Sequence, residues 1–277
     1  FKVKKYKKEA LNMELSIIVV NYNNYNLTEN CVKSVLRTVK DINYEVIVID
    51  NNSTNDSYSI LREEFKDYHN IRIIKNIENE GFGAANNKAV ELAKADILLF
   101  LNPDVEVLDE AINNLYNRLL SDESVGLIGA KLLNKDLTLQ YSCRRVLKFS
   151  EFIITRTPLK NIVSKDYVQK LEDKYLMTDL DHDKESEVDW VMGSCMIIRK
   201  KLFLDVGGFS KEYFIYFEDV DLCYKVRKSG KVVLYYPGAR MIHLHNQESV
   251  KKINKLTFIH IKSMLTFYRK LRYDKLC

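Results

Sequence analysis

The clearest candidate for chemistry in this sequence directly follows an apolar run. Residues 95–101 read ADILLFL, and Asn102-Pro103-Asp104 comes next. In open α/β sheets ligands bind beyond the carboxyl ends of the strands. A divalent cation that bridges a diphosphate needs one or two carboxylates, so Asp104 is a candidate metal ligand. The alternative is a plain turn, because Asn, Pro and Asp all favour turns.

Two histidines far along the chain could supply a second ligand. His243 and His245 end a short apolar run, and an imidazole nitrogen suits Mn²⁺ better than Mg²⁺. The alternative for each is a hydrogen-bonded side chain at a strand end, which we favour for the second of the pair. The residue types therefore allow a divalent cation between Asp104 and one histidine, with a plain turn and hydrogen-bonded histidines as the alternative.

Three carboxylates open a predicted helix: Glu218, Asp219 and Asp221 follow the aromatic run YFIYF of residues 213–217. Acids at a helix N-terminus complement the helix dipole, which is worth roughly 0.3–1 kcal/mol each. Three acids in four residues exceed that need. An apolar wall raises the pKa of a carboxylate and makes it a better base. Trp190 and the aromatic run could stack on a sugar, although core packing is the default for aromatic residues.

Two further strand ends carry polar residues. Asp50 ends the run EVIVID of residues 45–50, where a carboxylate can accept from a base N–H or a ribose hydroxyl. The alternative is an Asx turn that caps the next helix. Residues 79–83, NEGFG, lack the G-x-G-x-x-G fingerprint. Two glycines before a helix still let backbone N–H groups approach an anion.

These residues need a scaffold that brings strand ends together, and the first 120 residues predict one. Apolar strands and amphipathic helices alternate four times with short loops. This alternation predicts an α/β fold with a parallel sheet flanked by helices. The loops after the strands should gather at one edge of the sheet. The predicted strands span residues 15–20, 45–50, 71–75 and 95–101, with helices near 28–39, 56–65, 84–93 and 108–120.

The second half of the chain loses this alternation. Residues 149–187 are charged and irregular, which indicates an inserted loop or helical flap, with the acidic run 179–183 as solvated surface. The last 28 residues predict a basic amphipathic helix. The other predicted elements are strands at 125–133 and 195–198, a turn at 207–209, a helix at 217–229 closed by Gly230, a strand at 231–236 ended by Pro237, and a short strand at 241–245.

Composition limits the class of protein. The 277 residues, 46% of them apolar, can bury a large core. Five scattered cysteines without a C-x-x-C pair favour a reducing compartment. No window reaches the roughly 18 consecutive apolar residues of a membrane span, and no apolar signal core follows the lysine-rich start. We therefore expect a cytoplasmic protein.

The net charge of +5 is concentrated at the two ends of the chain. Lysines crowd residues 2–8, and lysines and arginines crowd residues 251–275. Such runs are usually solvated, and they could also meet an anionic membrane surface or an anionic substrate. Neither run carries a nucleic-acid-binding motif, so no nucleic-acid partner is expected.

Taken in order, seven motifs make this sequence resemble the family 2 glycosyltransferases of GT-A fold, and especially their rhamnosyltransferase-like branch. The resemblance spans about residues 14–250, most of the chain. The motifs are SIIVVNYN (16–23), VIDNNSTND (48–56), NEGFGAANN (79–87), LFLNPDV (99–105), DWVMGSCMIIRK (189–200), GGFSKEYFIYFEDVDLCYKVRKSGK (207–231) and PGARMIHLH (237–245).

The resemblance implies a nucleotide-sugar site in the first half of the chain. Asn21 and Asp50 match contacts to the nucleotide base and ribose, and Asp104 matches the final, metal-binding aspartate of the D-x-D position. The first aspartate of that motif is Asn102 here, which leaves fewer charged ligands. The implied nucleotide-sugar site comprises Asn21, Asp50, Asn52, Gly81, Asn86, Asn87, Asn102 and Asp104.

The resemblance also implies the catalytic centre. Asp219 matches the general base of the E-D motif, and His243 matches the C-terminal ligand of a Mg²⁺ or Mn²⁺ cofactor that Asp104 also binds. The implied acceptor side comprises Asp189, Trp190, Gly193 and Glu218.

The implied function is an inverting, metal-dependent glycosyltransferase that uses a nucleotide-diphosphate sugar donor. The specific expectation is rhamnose transfer from dTDP-rhamnose to a glycan or lipid-linked acceptor in cell-surface polysaccharide synthesis. One alternative is a hexosyl- or N-acetylhexosaminyl-transferase that uses a UDP-sugar. Another is a non-catalytic glycan-binding protein of the same fold.

The expected organisation has three parts. Residues 14–133 form the nucleotide-sugar-binding half, residues 134–249 the acceptor-binding and catalytic half of the same domain, and residues 250–277 the basic C-terminal helix. The basic termini suggest peripheral contact with the inner face of the cell membrane, and a homodimer is a further option.

Overall fold

The first half of the chain alternates strands and helices as the sequence predicts. The structure is a computed structural model that describes residues 13–244 and 255–274. Its first strands are β1 Leu15–Asn21, β2 Tyr44–Asp50, β3 Ile71–Lys75, β4 Ile97–Leu101 and β5 Val105–Val107. The helices among them are α1 Tyr25–Thr38, α2 Ser57–Glu64, α3 Phe82–Leu92 and α4 Ala111–Leu120.

The second half adds strands to the same sheet and helices around it. The strands are β6 Val125–Leu133, β7 Leu139–Gln140, β8 Cys143–Arg144, β9 Ser186–Glu187, β10 Trp190–Val191, β11 Cys195–Arg199 and β12 Val232–His243. The helices are α5 Phe149–Arg156, α6 Lys165–Leu176, α7 Lys200–Asp205, α8 Glu218–Lys228 and α9 Lys255–Asp274, with a 3-10 helix at Pro158–Asn161.

The central sheet is mostly parallel, and its strand order is β3-β2-β1-β4-β11-β6-β12-β5. The strands β1, β2, β3 and β4 are mutually parallel, so their polar carboxyl ends leave the sheet at one edge. The antiparallel strand β11 lies between β4 and β6. The strand β11, from the second half of the chain, therefore places the loop before it at the sheet edge formed by β1 to β4.

Two apolar cores cover the two faces of this sheet. Successive residues of a strand point to opposite faces. Ile17 and Val19 of β1 accordingly pack in one core, and Ile18 and Val20 pack in the other. All four side chains are buried. Burial on both faces explains why these strands are continuous apolar runs rather than alternating ones.

The prediction of two separate strands around Pro237 was wrong. A single strand, β12, continues through this proline to His243. Its register against β6 shifts between Tyr236 and Arg240, so an irregularity accommodates the residue that cannot donate to the ladder. Because the strand continues, it carries His243 alongside β5, opposite Val105.

Residues 149–187 are largely helical, as one of the two predicted alternatives proposed. Helix α6 contacts β8, and α5 packs against α6. The acidic run 179–183 is solvated only in part, which corrects the prediction for this segment. Its aspartates are paired at the surface, whereas His182 is buried between the rings of Tyr141 and Tyr235.

The predicted C-terminal helix is present as α9, and it packs on its own domain. Met264 and Phe267 are buried, and the ring of Phe267 lies 5.6 Å from that of Phe217. Phe258, Ile261 and Leu265 are exposed on its other side. Within the described residues, no helix is long and apolar enough to cross a membrane.

Three parts of the sequence predictions lie outside the described residues: His245, the basic N-terminal run, and the outer ends of the C-terminal segment. Peripheral contact with a membrane stays a prediction.

Candidate active site

The ends of β1 and β2 form a buried polar cluster. Asn21 and Asp50 are fully buried, and Asn21 Nδ2 donates to Asp50 Oδ2 at 2.8 Å. The second Asp50 oxygen accepts from the backbone N–H of Ser53 at 3.0 Å. The Asx turn weighed against a nucleotide contact is thus present, and it fixes the orientation of the carboxylate. Asn52 follows in the left-handed region, with φ of 62°.

Asn51 links the loops after β2 and β3, and its role was not predicted from the sequence. Its Nδ2 donates to Asn79 Oδ1 at 2.9 Å and to the Gly81 carbonyl at 3.3 Å. Its Oδ1 accepts from Asn76 Nδ2 at 2.9 Å. The asparagine-rich composition of the two loops was a signal that they bond to each other. These bonds hold the start of α3 against the edge of the sheet.

Gly81 occupies a position that excludes other residues. Its φ of 85° and ψ of 172° lie in a region that is essentially restricted to glycine. A Cβ atom there would lie 2.2 Å from the carbonyl oxygen of Phe214. The same oxygen accepts from the N–H of Phe82 at 3.0 Å. Gly81 therefore lets the loop after β3 contact the aromatic segment that leads to Asp219.

We expect Gly81→Ala to lower the free energy of unfolding by roughly 2–5 kcal/mol, from backbone strain and a forced displacement of Phe214. Gly230→Ala is the matched control, because Gly230 has φ of 82° and open space around it. Strain alone should lower its stability by roughly 1–2 kcal/mol. Urea unfolding of both variants measures the difference. Equal losses would show that contact with Phe214 contributes nothing.

Asn86 and Asn87 lie on α3 and bond to the protein itself. The side chain of Asn86 is buried and donates to the Phe82 carbonyl at 2.9 Å. Asn87 bonds to the backbone of Phe209 in both directions, at 2.8 and 3.0 Å. Both amides thus fix neighbouring backbone, and their direct contact with a nucleotide sugar stays a prediction.

Asp104 and His243 meet where β5 pairs with β12. Their atoms Oδ1 and Nε2 lie 3.4 Å apart, with His243 2% exposed and the Asp104 side chain 21% exposed. The other imidazole nitrogen of His243, Nδ1, lies 2.6 Å from Gln140 Oε1. Since that oxygen accepts, Nδ1 carries a proton, and Nε2 is the ring nitrogen that faces Asp104.

This arrangement suits one cation. A histidine ligand normally donates its second ring N–H to another group, which fixes the tautomer. Gln140 is in that position, and no local sequence signal marked it. Within the described residues there is no group of three or more His, Cys, Asp or Glu side chains that could hold a metal. The pair can therefore supply two ligands and leaves the other positions to substrate or water.

Two consecutive residues connect this edge to Asp219. The N–H of Asn102 donates to the Ser194 carbonyl at 2.9 Å. The N–H of the preceding residue, Gly193, donates to Asp219 Oδ2 at 2.9 Å. A Cβ atom at Gly193 would lie 3.2 Å from that of Asp219, so a glycine allows this close approach. The strand β11, which follows them, pairs with β4 and so holds both contacts together.

Glu218 and Asp219 lie side by side at the start of α8. Burial and the neighbouring charge of Asp219 raise the pKa of Glu218 to about 8. Its Oε2 is buried and has no hydrogen-bond partner among the described residues. Burial also raises the pKa of Asp219. However, N–H groups of Gly193 and Val220 donate to its carboxylate at 2.9 and 2.8 Å.

These contacts determine which acid is ionised. Hydrogen bonds to a carboxylate favour its charged form, and Asp219 has two such bonds. Two adjacent acids titrate as a pair. The hydrogen bonds therefore favour Asp219 over Glu218 as the ionised member of the pair. Asp221, the third acid, is fully buried and bonds to Ser210, Lys225 and Lys270, so it fastens α8 to its surroundings.

A cavity of about 220 Å³ opens next to Asp219. Its walls come from β8, β10, α5, α6, α8 and α9. The inserted segment 149–187 therefore forms part of the cavity wall. Trp190, predicted on the acceptor side, lines the cavity. Asp189 instead binds Arg227 at 2.8 Å and the N–H of Val146 at 2.8 Å. Asp189 therefore stabilises the backbone beside the cavity, and its contact with an acceptor stays a prediction.

The fold is shared with known sugar-transferring enzymes. GalNAc-T7, solved with UDP, GalNAc and Mn²⁺, superposes with a TM-score of 0.64 at 16% identity, over 87% of this chain and 45% of that chain. A mannosyltransferase from Pyrobaculum calidifontis, solved with GDP-Man and Mn²⁺, has a TM-score of 0.58 at 18% identity, over 85% of this chain and 58% of that chain. The predicted GT-A fold is confirmed.

The family follows from the sequence comparisons. A family model described as glycosyl transferase family 2 matches residues 16–207, more than half of the chain. This chain therefore belongs to glycosyl transferase family 2, as the motif resemblance predicted.

Two relatives are rhamnosyltransferases. Rhamnosyltransferase WbbL of Escherichia coli (strain K12) is 26% identical over 275 residues, covering 92% of this chain and 93% of the relative. The N-acetylglucosaminyl-diphospho-decaprenol L-rhamnosyltransferase of Mycobacterium tuberculosis is 26% identical over 209 residues, covering 72% of this chain and 66% of the relative.

Proposed function

We propose that this glycosyltransferase moves a sugar from a nucleoside-diphosphate donor to an acceptor hydroxyl by a single displacement with inversion. The observation that carries the proposal is the bridge formed by Gly193 and Ser194. It brings the edge around Asn102 next to the carboxylate of Asp219. An inverting transfer needs a base on the acceptor face and charge neutralisation on the leaving-group side.

The donor is proposed to bind along the ends of β1 to β4. Asn21, Asp50 and Asn52 would bind the nucleoside, where the buried bond between Asn21 and Asp50 preorganises the carboxylate. The backbone around Gly81 and the segment at Asn102 would border the diphosphate and the sugar. Asn86 and Asn87 would support this pocket through the backbone that they fix.

Asp104 and His243 are proposed to hold the Mg²⁺ or Mn²⁺ cofactor. Their donor atoms lie 3.4 Å apart, and Gln140 keeps His243 in the tautomer that can bind a metal. One carboxylate and one imidazole leave room for diphosphate oxygens and water. A bound cation would supply neutralisation of the charge on the departing nucleoside diphosphate.

Asp219 is proposed to act as the general base. It would take the proton of the acceptor hydroxyl as that oxygen attacks the anomeric carbon. The bond from this carbon to the diphosphate would break, and its electron pair would leave with the nucleoside diphosphate. Glu218, with its raised pKa, would stay protonated and let Asp219 carry the charge. The acceptor would lie in the neighbouring cavity, against Trp190.

Rhamnose from dTDP-rhamnose is the specific donor that we propose, because two relatives are named as rhamnosyltransferases. We propose a glycan or lipid-linked acceptor in cell-surface polysaccharide synthesis, and the N-acetylglucosaminyl-diphospho-decaprenol in the name of the second relative supports a lipid-linked one. Hexosyl or N-acetylhexosaminyl transfer from a UDP-sugar is the alternative, since GalNAc-T7 was solved with UDP and GalNAc.

A panel of nucleotide sugars with Mn²⁺ or Mg²⁺ tests this function. We expect dTDP-rhamnose to raise the melting temperature by mass action, and acceptor to accelerate release of dTDP. Stabilisation and turnover with a UDP-sugar alone would favour the alternative donor. A glycan-binding protein without activity would release no nucleoside diphosphate from any donor in the panel.

A further inference from the structure

Arg144 is held by aromatic rings at the wall of the cavity beside Asp219. It lies on β8 directly opposite Trp190 of β10. Its guanidinium lies 5.1 Å from the ring centre of Tyr175 and 5.9 Å from that of Trp190. Such cation–π contacts fix the orientation of a guanidinium without using its N–H donors. The rings therefore do not use the hydrogen-bond donors of Arg144.

The charge of Arg144 has no ion-pair partner among the described residues, although Asp219 attracts it through space. Among the described residues no acid lies within 4.0 Å of its guanidinium, and its buried Nη1 has no hydrogen-bond partner. Nη2 contacts only a weak acceptor, Met192 Sδ, at 3.9 Å. The next residue, Arg145, shows the usual arrangement, because it pairs with Asp179 at 3.3 Å.

A second, exposed guanidinium lies near the same ring of Tyr175. Arg156 lies 5.0 Å from the ring centre of Tyr175 and 5.9 Å from that of Phe152, and no acid of the described chain lies within 4.0 Å of it. Burial and the charge of Arg156 both lower the pKa of Arg144. Burial and a nearby like charge both disfavour the charged form of Arg144, and a bound anion would offset them.

Asp219 is the one acid among the residues that line the cavity, and its carboxylate already accepts hydrogen bonds. The carboxylate of Asp219 accepts from two backbone N–H groups rather than from Arg144. A buried polar group that the protein leaves unsatisfied calls for a specific explanation. A guanidinium with free donors binds phosphate or carboxylate oxygens strongly, often through two parallel hydrogen bonds.

We infer that Arg144 binds an anionic group of the acceptor, adjacent to the sugar that presents its hydroxyl to Asp219. The group is a phosphate or a carboxylate, and Arg144 determines the preference of the enzyme for charged acceptors. The acceptor role rests on the proposed function, whereas the anion site itself depends only on the cavity. Arg144 would also influence Asp219 electrostatically, but that effect would be the same for charged and neutral acceptors.

The sole tryptophan of the chain, Trp190, makes this site measurable without turnover. Its fluorescence can be titrated with matched probes that differ in one charged group. Geranyl diphosphate is compared with geraniol for the phosphate arm, and hexyl glucuronide with hexyl glucoside for the carboxylate arm. Excess EDTA keeps the diphosphate probe from binding through a metal at Asp104, and no donor is added.

In the wild type we expect the charged probe of at least one pair to bind roughly 10–100-fold more tightly than its neutral partner, the range of a charge-assisted hydrogen bond. The pair that shows the preference identifies the phosphate or the carboxylate as the natural group. Arg144→Gln should abolish the preference. Arg144→Lys should keep part of it, because the charge stays while the planar donors are lost.

Arg37→Gln is the control for loss of a guanidinium, since Arg37 is exposed and pairs with Glu106 at 3.2 Å. It should keep the full preference, and thermal melts establish that each variant is folded. Equal binding of charged and neutral probes in both pairs would overturn the inference, as would an intact preference in folded Arg144→Gln and Arg144→Lys. Absence of sugar transfer with an intact anion preference would reject the proposed function alone.

Discussion

Asp219→Asn is expected to lower turnover by about 10²–10⁴, the usual span for loss of a general base. The substitution keeps the size of the side chain and removes its ability to take a proton. Binding of the donor should survive, because the proposed role places Asp219 on the acceptor side, across the Gly193–Ser194 bridge from Asn102. Steady-state transfer rates and donor-induced melting shifts measure the two effects separately.

Glu218→Gln is the matched comparison for that variant. An amide closely resembles the protonated carboxyl that Glu218 carries, because burial raises its pKa to about 8. This variant should therefore lose far less turnover than Asp219→Asn. The rate should also fall as pH is lowered through the raised pKa of Asp219, since the base works only when ionised. Near-wild-type turnover in Asp219→Asn would reject its role as the base.

Excess EDTA is expected to abolish transfer, and added Mn²⁺ or Mg²⁺ should restore it. Two protein ligands bind a cation weakly on their own, so removal by a chelator should be complete. Asp104→Asn should weaken metal-dependent donor binding, because it removes the charged ligand of the pair. Isothermal titration of the donor, with and without metal, measures this loss directly.

The metal role of His243 can be tested by removing either the histidine itself or the glutamine that orients it. His243→Ala should reproduce the loss seen in Asp104→Asn. Gln140→Leu should lower metal affinity by roughly 10–100-fold, because it removes the partner that orients the imidazole. His69 is exposed, so His69→Ala is the control and should behave as the wild type. Full activity in excess EDTA would exclude a metal role for Asp104 and His243.

Much of the scaffold was predictable because buried strands require continuous apolar runs in the sequence. The runs that become β3 and β6 were predicted with the observed bounds, 71–75 and 125–133. An apolar strand ending in polar residues is a local feature. The four strand ends could likewise be expected at one edge, since parallel strands must place them there.

The continuity of β12 was not predictable in the same way. Proline usually ends a strand, because it cannot donate a backbone hydrogen bond. Here pairing with β6 and β5 continues the strand beyond Pro237. This long-range pairing determines where His243 lies. Gln140, which fixes the tautomer of His243, comes from a two-residue strand that carries no periodic pattern. Its role depends on a contact across 103 positions of sequence.

The cavity beside Asp219 could not be predicted from the sequence, for a related reason. Its walls come from β8, β10 and helices spread between α5 and α9, so no single segment displays its pattern. Arg144 looks like one basic residue in an ordinary charged stretch, beside Arg145. Only the structure separates the two, because one is paired with Asp179 and the other faces aromatic rings.

Asp219 is proposed to drive a single displacement on a donor bound at the Asp104 edge. The configuration of the new glycosidic bond tests it most directly. Transfer should be run with the donor that the nucleotide-sugar panel identifies, and the product examined by NMR. We predict that the anomeric configuration of the transferred sugar is opposite to that in the donor. Retention of configuration would contradict the single displacement and the role of Asp219 as its base.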